Sequence, residues 1–582
     1  MPQRIKGTVA SPGIRIGKAY VYQTSKVYIP KYDITVDQID AEIIRFEDAI
    51  RKTKEEIKSI QGQIATSLSK DMADIFSSHI MMLEDPQIYE KTKELVRSEL
   101  RNVEWVLNDT ALDLMKGFSA IEDEYLRERI LDISDIHKRL ISNLQKQKVD
   151  SVSLANLKEE VIVFASDLTP SDTAMMNKKY VLAFVTDKGG RTSHTAIMAR
   201  ALELPAIVGT MNATSMVRDG DTVICDATHG EVLINPTPEL IEEYTRYQEE
   251  LRAMEIELAK LTSLPSLTVD DEEVFLYGNI ELPDEMAVIK EHGAQGIGLF
   301  RSEFLFLGRS LPDENTQFCE YRKVVEFFNP LPVTIRTLDV GGDKIFSYTN
   351  EYRERNPFLG CRAIRFSLEN VDLLRTQIRA VLRASHYGTV KLMFPMVSTV
   401  EEIVRAREIL DETRDELDRA GIPFDHEIAV GVMIEVPSAV IAGDLLAKHS
   451  DFFSVGTNDL IQYTLAVDRI SEKVAYLYDP LNISVLRFLK QIVVIARDAD
   501  KPLSICGEIA GEPIYTMLLL GLGFRHFSMS SASMNQIKRI IRAVRIEDCN
   551  RLADELLSME KASDIERRLM EVTAREFPWL TL

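Results

Sequence analysis

The sequence predicts a multidomain α/β protein in which β-rich and helical segments form distinct units along the chain. Two observations carry this prediction. A long helical stretch interrupts β-rich segments in the N-terminal part, and eight β-rich segments alternate with helical ones in the C-terminal half. The length of 582 residues agrees with it, because such a chain exceeds one core and divides at about 150 residues per domain.

The first predicted unit is an α/β domain made of residues 1–24 and 147–235. Its N-terminal part places Gly7, Pro12 and Gly13 among β-branched residues, a pattern typical of short strands joined by turns. Apolar, strand-like runs return in the second part: Val161–Phe164, Val181–Val185, Ala206–Val208, Thr222–Cys225 and Val232–Ile234. The two parts together predict one compact sheet.

Residues 25–146 are predicted to form an antiparallel helical bundle inserted into that domain. Between positions 31 and 169 the only proline is Pro86, so proline interrupts no other helix there. Isoleucine recurs at every seventh position of the first stretch: Ile43, Ile50, Ile57 and Ile64. That spacing places an apolar seam on one long helix. Helical patterns continue over residues 71–83, 87–117 and 119–146.

A helical linker of residues 236–265 leads to the C-terminal domain, residues 266–582. Two prolines open the linker helix, which is predicted from Glu239 to Leu261. Eight β-rich segments then alternate with helical ones: Val274–Ile280, Gly296–Arg301, Val333–Asp339, Val390–Met396, Ile428–Glu435, Phe452–Val455, Leu503–Cys506 and His526–Met529. This alternation predicts a C-terminal (β/α)8 TIM barrel.

Composition and charge exclude several classes of protein. No apolar run reaches the about 18 residues of a membrane span, and the N-terminus has no apolar signal core, so we expect a cytoplasmic protein without membrane insertion. The formal net charge of −22 argues against a nucleic-acid partner. The five cysteines are scattered and form no Cys-x-x-Cys pair, which argues against a disulfide framework or a structural zinc site.

One histidine, His194, is predicted to lie in the first turn of a helix that follows a glycine-rich turn. The preceding Gly-Gly-Arg-Thr-Ser segment supplies a tight turn and N-capping residue types. Free backbone N–H groups and the helix dipole favour an anion at this position, and Arg191 is one turn away. Because neutral imidazole is a nucleophile at physiological pH, we predict that His194 carries a phosphoryl group.

A second candidate site lies at the C-terminal face of the predicted barrel, where polar residues follow the apolar part of each strand. This rule selects six residues: Arg301, Arg336, Glu435, Asn458, Asp459 and Cys506. The arginines suit a phosphorylated anion, and the carboxylates suit a hard divalent cation such as Mg²⁺. Cys506 fits either of two roles, a buried core thiol or a proton donor to a metal-bound enolate.

Four segments resemble the motifs of one enzyme family. They are Ala10–Ile14, the histidine segment Gly189–Arg200, Asp451–Tyr463 and Phe527–Ser530. On these residues the chain resembles the enzyme I family of the bacterial sugar phosphotransferase system, the phosphoenolpyruvate-protein phosphotransferases. The resemblance runs along nearly the whole chain. It implies phosphoryl transfer from phosphoenolpyruvate to His194, and then to a histidine of the phosphocarrier protein HPr.

The resemblance also implies a role for each candidate residue. His194 would accept the phosphoryl group through Nε2, with Thr173 as its hydrogen-bond partner and Arg191 in support. The implied roles in the barrel are phosphate binding by Arg301, Arg336 and Arg469, substrate binding by Asn458 and Asp459, Mg²⁺ binding by Glu435 and Asp459, protonation of C3 of the enolate by Cys506, and support by Arg362. The family's helical insertion binds HPr and its barrels pair into a homodimer, so we expect both here.

The two candidate sites belong to different predicted domains. His194 precedes Glu435 by 241 residues, so one phosphoryl acceptor must visit two places, the barrel mouth and the carrier protein. We therefore expect the α/β domain to swivel about the segments near 236–265.

Three other functions compete with this interpretation. A phosphoenolpyruvate synthase or pyruvate phosphate dikinase shares the histidine and barrel domains but needs a nucleotide-binding domain, and the first 150 residues contain no glycine-rich phosphate loop. A nitrogen-branch paralogue would use the same chemistry on a different carrier, usually with an extra N-terminal sensory domain that we do not expect here. A non-catalytic interaction protein would keep the fold without the reaction.

Overall fold

The structure is a computed structural model that describes residues 3–22, 29–67, 79–80, 82–83, 85, 88–119, 124–145, 154, 157–169, 172–173, 176–177, 179–190, 194–202, 204–306, 311–341, 356–469, 471 and 473–580. The chain divides into two compact units, Met1–Leu251 and Arg252–Leu582. The division falls within a long helix, Pro238–Ala259, in the segment predicted to link two domains.

Eight strands form one mixed sheet in the first unit: β1 Gln3–Lys6, β2 Thr8–Ser11, β3 Ile14–Tyr22, β4 Val161–Ala165, β5 Val181–Thr186, β6 Ala206–Val208, β7 Thr222–Asp226 and β8 Glu231–Ile234. Their order across the sheet is β1-β8-β7-β3-β4-β5-β6-β2. The pairs from β3 through β6 are parallel, and the other pairs are antiparallel. The strands predicted in the second part of the α/β domain are all present.

The central strand β4 is buried on both faces of the sheet. Val161, Val163 and Ala165 belong to one apolar cluster, whereas Ile162 and Phe164 belong to another. Successive side chains of a strand point to opposite faces, so the two clusters lie on the two sides of the sheet. A strand covered on both sides has an unbroken apolar sequence, which explains why this segment was recognisable.

Among the residues that the structure describes, helices also occur in the α/β part and in the segment after it: α5 His194–Leu202, α6 Ala213–Met216 and α7 Pro238–Ala259, numbered after the helices of the bundle. Helix α5 begins at His194, as predicted. Ala196, Ala199 and Leu202 of α5 are buried in the first apolar cluster with Val163. Their three-residue spacing packs one face of α5 on the sheet and thereby fixes where its N-terminus lies.

Within the described residues of the bundle, four helices have defined bounds: α1 Ile39–Ser67, α2 Tyr89–Glu99, α3 Val103–Ser119 and α4 Glu124–Gln145. The predicted apolar seam is confirmed at Ile43, Ile50 and Ile57, which are all buried, and Phe46 beside them is fully buried. The side chain of Ile64 lies outside the described residues. Burial along one face of α1 provides the main packing surface for the other helices.

One prediction for the bundle is wrong: the stretch 87–117 is two helices, α2 and α3. Leu100 adopts a left-handed conformation, with φ 51° and ψ 44°, and ends α2. Buried Asn102 donates a hydrogen bond from Nδ2 to the carbonyl oxygen of Pro30 at 2.9 Å. Contacts distant in sequence hold this break, and no glycine or proline marks it. The predicted stretch 71–83 lies mainly outside the described residues.

Eight parallel strands of the second unit close into a barrel: β9 Phe275–Ile280, β10 Ile297–Arg301, β11 Val333–Arg336, β12 Val390–Phe394, β13 Ala429–Ile434, β14 Phe452–Val455, β15 Leu503–Ile505 and β16 His526–Met529. Pairing of β16 with β9 completes the ring. Each of the eight predicted strands is present, so the TIM-barrel prediction is confirmed. Within the described residues, no helix combines the length and apolar character needed to cross a membrane.

Helices of this unit surround the strands or extend the chain beyond them: α8 Met286–Glu291, α9 Glu314–Phe328, α10 Ile364–Glu369, α11 Val371–Ser385, α12 Val400–Arg419, α13 Pro437–Ile441, α14 Gly443–Leu446, α15 Thr457–Leu465, α16 Ile483–Asp498, α17 Thr516–Leu522, α18 Ser531–Ile541, α19 Ile546–Leu557 and α20 Ala562–Glu576. The strands and helices share one large apolar core. This rigid core holds the strand ends on which the candidate site is built.

A glycine sets the close approach of α17 to α19. A Cβ atom at Gly521 would lie 2.5 Å from the carbonyl carbon of Cys549, a backbone atom that cannot rotate away. We expect Gly521→Ala to lower the free energy of unfolding by about 2–3 kcal/mol, because overpacking forces the two helices apart. Urea denaturation followed by circular dichroism measures this change.

Gly443 is the matched control for this prediction. A Cβ atom there would approach only the flexible side chain of Ile495, at 3.1 Å and 3.3 Å. Gly443→Ala is therefore expected to change the free energy of unfolding by less than about 1 kcal/mol, since alanine has the higher helix propensity. Equal destabilisation by both substitutions would contradict the packing argument.

Candidate active site

The buried guanidinium of Arg336 lies at the centre of the candidate site, at the C-terminal end of β11. Its Nη2 donates to Glu303 Oε1 at 2.9 Å, and its Nη1 is 2.8 Å from Asp339 Oδ2. Burial by itself would lower the pKa of Arg336, but the charges of Glu303 and Asp339 outweigh burial and raise the pKa. The two carboxylates therefore hold this arginine charged and in a fixed orientation.

Asp339 connects Arg336 to a second arginine. Arg362 Nη2 is 2.8 Å from Asp339 Oδ1 and 3.4 Å from Asp459 Oδ2. Arg362 Nη1 also donates to the hydroxyl of Tyr463 at 3.3 Å. These contacts bring the chain after β11 and helix α15 to one place. The supporting residue Arg362 thus lies in direct contact with the predicted metal ligand Asp459.

Glu435 follows β13 and is almost completely buried. The backbone N–H of Met396 donates to its Oε1 at 2.6 Å. Burial, together with the charges of Asp339 and Asp459, raises the pKa of Glu435 well above its ordinary value, although Arg336 opposes the increase. Several buried carboxylates near one another repel each other, so this part of the mouth favours an additional positive charge.

Cys506 lies at the end of β15, within the barrel. It is 3% exposed and packs with Leu299, Met433 and Phe452. Its Sγ is 3.4 Å from the carbonyl oxygen of Val455, the acceptor of its S–H. Burial raises the pKa of Cys506 to about 11. The thiol therefore keeps its proton at neutral pH and has a proton available to donate.

Asn458 lies at the more exposed rim of the mouth, in the first turn of α15. Its Nδ2 donates to Glu508 Oε1 at 2.9 Å, and the backbone N–H of Glu508 donates to Asn458 Oδ1 at 3.0 Å. The hydroxyl of Tyr478 donates to the Asn458 carbonyl oxygen at 3.3 Å. Arg469 interacts with Tyr478 and helps to lower its pKa against the effect of burial, which raises the pKa to about 12. Asn458 and Arg469, which are both predicted to bind substrate, therefore interact with the same tyrosine, Tyr478.

Arg301 is more exposed than Arg336. Its side chain is 36% exposed and forms an ion pair with Glu281. It is close enough to Cys506 for its charge to favour the thiolate. The arginine thus lies at the same end of the barrel, paired with a carboxylate that is itself exposed.

Residues 168–173 include a hydrogen-bond partner for the first turn of helix α5. Thr195 Oγ1 donates to the carbonyl oxygen of Leu168 at 3.1 Å, and buried Thr173 donates from Oγ1 to the carbonyl oxygen of Thr169, also at 3.1 Å. The predicted partner Thr173 therefore belongs to a segment tied to the first turn of α5. Residues 191–193, including Arg191, and the side chain of His194 lie outside the described residues.

Three functional neighbours were missed in the sequence: Glu303, Asp339 and Glu508. Glu303 and Asp339 follow strands β10 and β11, so the same rule of polar residues after apolar strands could have selected them. Glu508 stands two residues after Cys506. Glu303 and Asp339 contact Arg336, and Glu508 contacts Asn458. The pattern of apolar residues that predicts strands does not show such pairings between distant segments.

The carboxylates of Glu435 and Asp459 are the oxygen donors at the mouth that were predicted to bind Mg²⁺. Within the part of the chain that the structure describes, no group of three or more His, Cys, Asp or Glu side chains is arranged to hold a metal ion. Mg²⁺ needs fewer protein ligands, because it commonly binds one or two carboxylates and completes its shell with water and substrate oxygens. The oxygen donors of Glu435 and Asp459 fit that requirement, and their mutual repulsion favours a cation.

Comparison with known proteins shows the same order of parts. Three domain-family models match: "PEP-utilising enzyme, N-terminal" over residues 6–129, "PEP-utilising enzyme, mobile domain" over 157–230, and "PEP-utilising enzyme, PEP-binding domain" over 255–546. The phosphoenolpyruvate-protein phosphotransferase of Geobacillus stearothermophilus is 45% identical over 562 residues, which is 96% of each chain.

Two further relatives carry the same name. That of Bacillus sp. (strain S) is 44% identical over 96% of each chain. That of Haemophilus influenzae is 44% identical over 97% of this chain and 98% of its own. The chain belongs to the phosphoenolpyruvate-protein phosphotransferase family. Membership in this enzyme I family confirms the predicted family, fold class and enzyme class, which is phosphoryl transfer from phosphoenolpyruvate by way of a mobile histidine domain.

Proposed function

We propose that His194 is the phosphoryl acceptor of this phosphotransferase and that the barrel mouth is where it receives the group. The observation that carries the proposal is the convergence of Arg336, Glu435, Asp459 and Cys506 at one end of the barrel. They lie at the C-terminal ends of four strands, β11, β13, β14 and β15, and the charges of Arg336 and Asp459 both act on Glu435. Sites of TIM-barrel enzymes are built in this way.

In the proposed reaction, Nε2 of His194 attacks the phosphorus of phosphoenolpyruvate. A nitrogen–phosphorus bond forms, the bond from phosphorus to the enol oxygen breaks, and the enolate of pyruvate leaves. Arg301, Arg336 and Arg469 hold the phosphoryl oxygens, while Asn458 orients the substrate. Because Glu303 and Asp339 fix the guanidinium of Arg336, its charge faces the moving phosphoryl group without reorganisation.

Mg²⁺ would be held by Glu435 and Asp459, and it would neutralise negative charge on the substrate oxygens. We expect chelation by EDTA to abolish labelling of the protein by phosphoenolpyruvate and added Mg²⁺ to restore it. Glu435→Gln, which removes one anionic ligand, should raise the Mg²⁺ concentration for half-maximal labelling by at least about tenfold. Glu427→Gln is the control, because Glu427 is exposed and precedes the same strand. Unchanged Mg²⁺ dependence in Glu435→Gln would contradict the ligand assignment.

Cys506 would donate the proton that converts the enolate to pyruvate. Its thiol is protonated at neutral pH because burial raises its pKa to about 11. Cys506→Ser puts a much weaker acid in the same place, so turnover should fall by about 100-fold or more. Pyruvate formation measures the rate. With phosphoenolpyruvate that carries one tritium at C3 in the Z position, protonation in heavy water from one face gives a chiral methyl group of one configuration, and a racemic methyl group reports protonation by solvent. Exposed Cys319 supplies the control, Cys319→Ser. Stereoselective protonation by Cys506→Ser would exclude Cys506 as the donor.

The phosphorylated histidine would then pass its group to a histidine of HPr, docked on the helical bundle. The domain boundaries remain predictions. They are 1–24 with 147–235 for the α/β domain, 25–146 for the bundle, 236–265 for the linker and 266–582 for the barrel. We also retain the proposals of a homodimer through the barrel and of a cytoplasmic location. Sedimentation equilibrium tests the proposed pairing.

One labelling assay separates this function from its competitors. Labelled phosphoenolpyruvate with Mg²⁺ and without nucleotide should produce an acid-labile label on the protein, and HPr should then accept it. A requirement for nucleotide would indicate a synthase or dikinase, and failure of HPr to accept the label would indicate a nitrogen-branch paralogue.

The swivel has its own test. Crosslinking the α/β domain away from the barrel should abolish labelling by phosphoenolpyruvate while phospho-HPr still labels His194. Loss of both transfers, or of neither, would contradict the swivel.

A further inference from the structure

The barrel has a second polar pocket at the N-terminal ends of its strands, the end opposite to the candidate active site. Its cavity volume is about 40 Å³, and the cavity opens to solvent. The pocket is lined by Tyr277, Ile297, Gly298, Pro332, Thr334, Lys391, Phe452, Phe453, Pro502, Leu503, Ser504 and His526. The lining contains two basic side chains and three hydroxyl groups but no carboxylate. Two basic side chains in a pocket without a carboxylate are unusual in a chain with a net charge of −22.

Lys391 is the central observation. It is the second residue of β12, and its ammonium group lies 5.4 Å from the centre of the Phe452 ring. Among the described residues, which include the whole pocket lining, it has no hydrogen-bond or ion-pair partner. Burial lowers the pKa of Lys391, and no neighbouring carboxylate opposes that effect. The ammonium group still reaches solvent, so an anion that enters from solvent meets an unpaired positive charge there.

His526 adds a second basic group to the same pocket. Its ring stacks on Phe275 with 4.7 Å between ring centres, and its Nδ1 lies 3.3 Å from the hydroxyl oxygen of Tyr277. Burial and, to a smaller extent, the charge of Lys391 together lower the pKa of His526 to about 4. The imidazole is therefore neutral at neutral pH. It leaves Lys391 as the cation of the pocket, beside aromatic and hydroxyl-bearing side chains.

We propose that this pocket binds a small oxyanion, a carboxylate or a phosphate, with Lys391 as the charged ligand. The ammonium group forms the ion pair, and the hydroxyl group of Thr334 is the hydrogen-bond donor in the lining beside it. The other two hydroxyl groups already have partners: Ser504 Oγ donates to the carbonyl oxygen of Phe453 at 3.4 Å, and the Tyr277 hydroxyl oxygen lies 3.3 Å from His526 Nδ1. Aromatic rings on the wall shield the pair from water and strengthen it. The site is separate from the arginines of the mouth, because it lies at the opposite ends of the same strands.

The test uses the full chain labelled with ¹³Cε1-histidine, in which the His526 resonance is assigned by its absence from His526→Gln. Sodium phosphate and sodium acetate are titrated in separate arms at pH 7.5, with sodium chloride holding the ionic strength constant. A saturable shift of the His526 resonance is expected in at least one arm. The arm that saturates at the lower concentration distinguishes a phosphate ligand from a carboxylate ligand.

Lys391→Gln should raise the apparent Kd at His526 by at least about tenfold, since it removes the only charged partner. If that variant fails to fold, Thr334→Val keeps the cation and removes the hydroxyl donor of the lining, so it should weaken binding several-fold. Arg336→Lys is the control for anions at the mouth and should leave the His526 titration unchanged. A non-saturating response like that of chloride, or the same Kd in wild type and Lys391→Gln, would overturn the proposal. None of these readouts requires phosphoryl transfer, so they stand apart from the proposed function.

Discussion

Replacing His194 with alanine is expected to abolish labelling by phosphoenolpyruvate, with a loss on the order of 10⁴-fold or more, because it removes the proposed nucleophile. The variant should also fail to take a phosphoryl group from phospho-HPr. Helix α5 packs on the sheet through Ala196, Ala199 and Leu202, so an alanine at its first residue leaves this packing intact. Acid-labile label retained on the protein after electrophoresis measures the effect.

His229 supplies the matched control in the same unit. Its ring is largely exposed, and its Nδ1 lies 2.8 Å from Asp226 Oδ2. His229→Ala removes an imidazole without touching α5, and it should label at the wild-type rate. Melting temperatures of both variants close to that of the wild type exclude unfolding as the cause. Persistent label on His194→Ala would place the acceptor on another residue.

Arg336→Lys is expected to lower kcat/KM for phosphoenolpyruvate by about 100- to 1,000-fold. The guanidinium bonds two carboxylates, Glu303 and Asp339, through separate nitrogens and presents a fixed charge to the mouth. A lysine keeps the charge but has no planar fork, so it cannot satisfy both carboxylates and the substrate together. Steady-state transfer to HPr at varied phosphoenolpyruvate measures the loss.

Two controls separate this effect from general damage. Arg375 lies on the outer helix α11, where it pairs with Glu412 at 2.9 Å and with Glu416 at 2.5 Å. Arg375→Lys makes the same chemical change outside the mouth and should alter kcat/KM by less than about twofold, as expected of a surface ion pair. Transfer from phospho-HPr to His194 should be normal in Arg336→Lys, because that step does not use the barrel. Loss of this reverse transfer would indicate a wider structural defect.

The barrel could be predicted because each of its strands is short, apolar and followed by a helical pattern. Buried parallel strands such as β13 and β14 have nearly unbroken apolar sequences. The same logic located Arg336, Glu435 and Cys506, since the first polar residue after such a strand must lie at the C-terminal face. Local sequence was sufficient wherever burial repeats with a simple period.

Prediction was incomplete wherever the outcome depended on contacts between distant segments. The break between α2 and α3 at Leu100 depends on the bond from Asn102 to Pro30, 72 residues earlier. The roles of Glu303 and Asp339 depend on which side chain Arg336 meets after folding. Sequence periodicity carries no information about such partners, because it records burial along one element and not pairing between elements.

The sequence by itself determined the order of the domains, the strands of the barrel and the identity of the candidate reactive residues. These follow from hydrophobic period, turn residues and chemical type, all of which are local. Only the tertiary structure decided the protonation and orientation of those residues. Burial raises the pKa of Cys506 to about 11, Glu303 and Asp339 fix Arg336, and Lys391 is left without a carboxylate. The reason is physical: desolvation and charge pairing depend on three-dimensional neighbours, which a linear pattern does not contain.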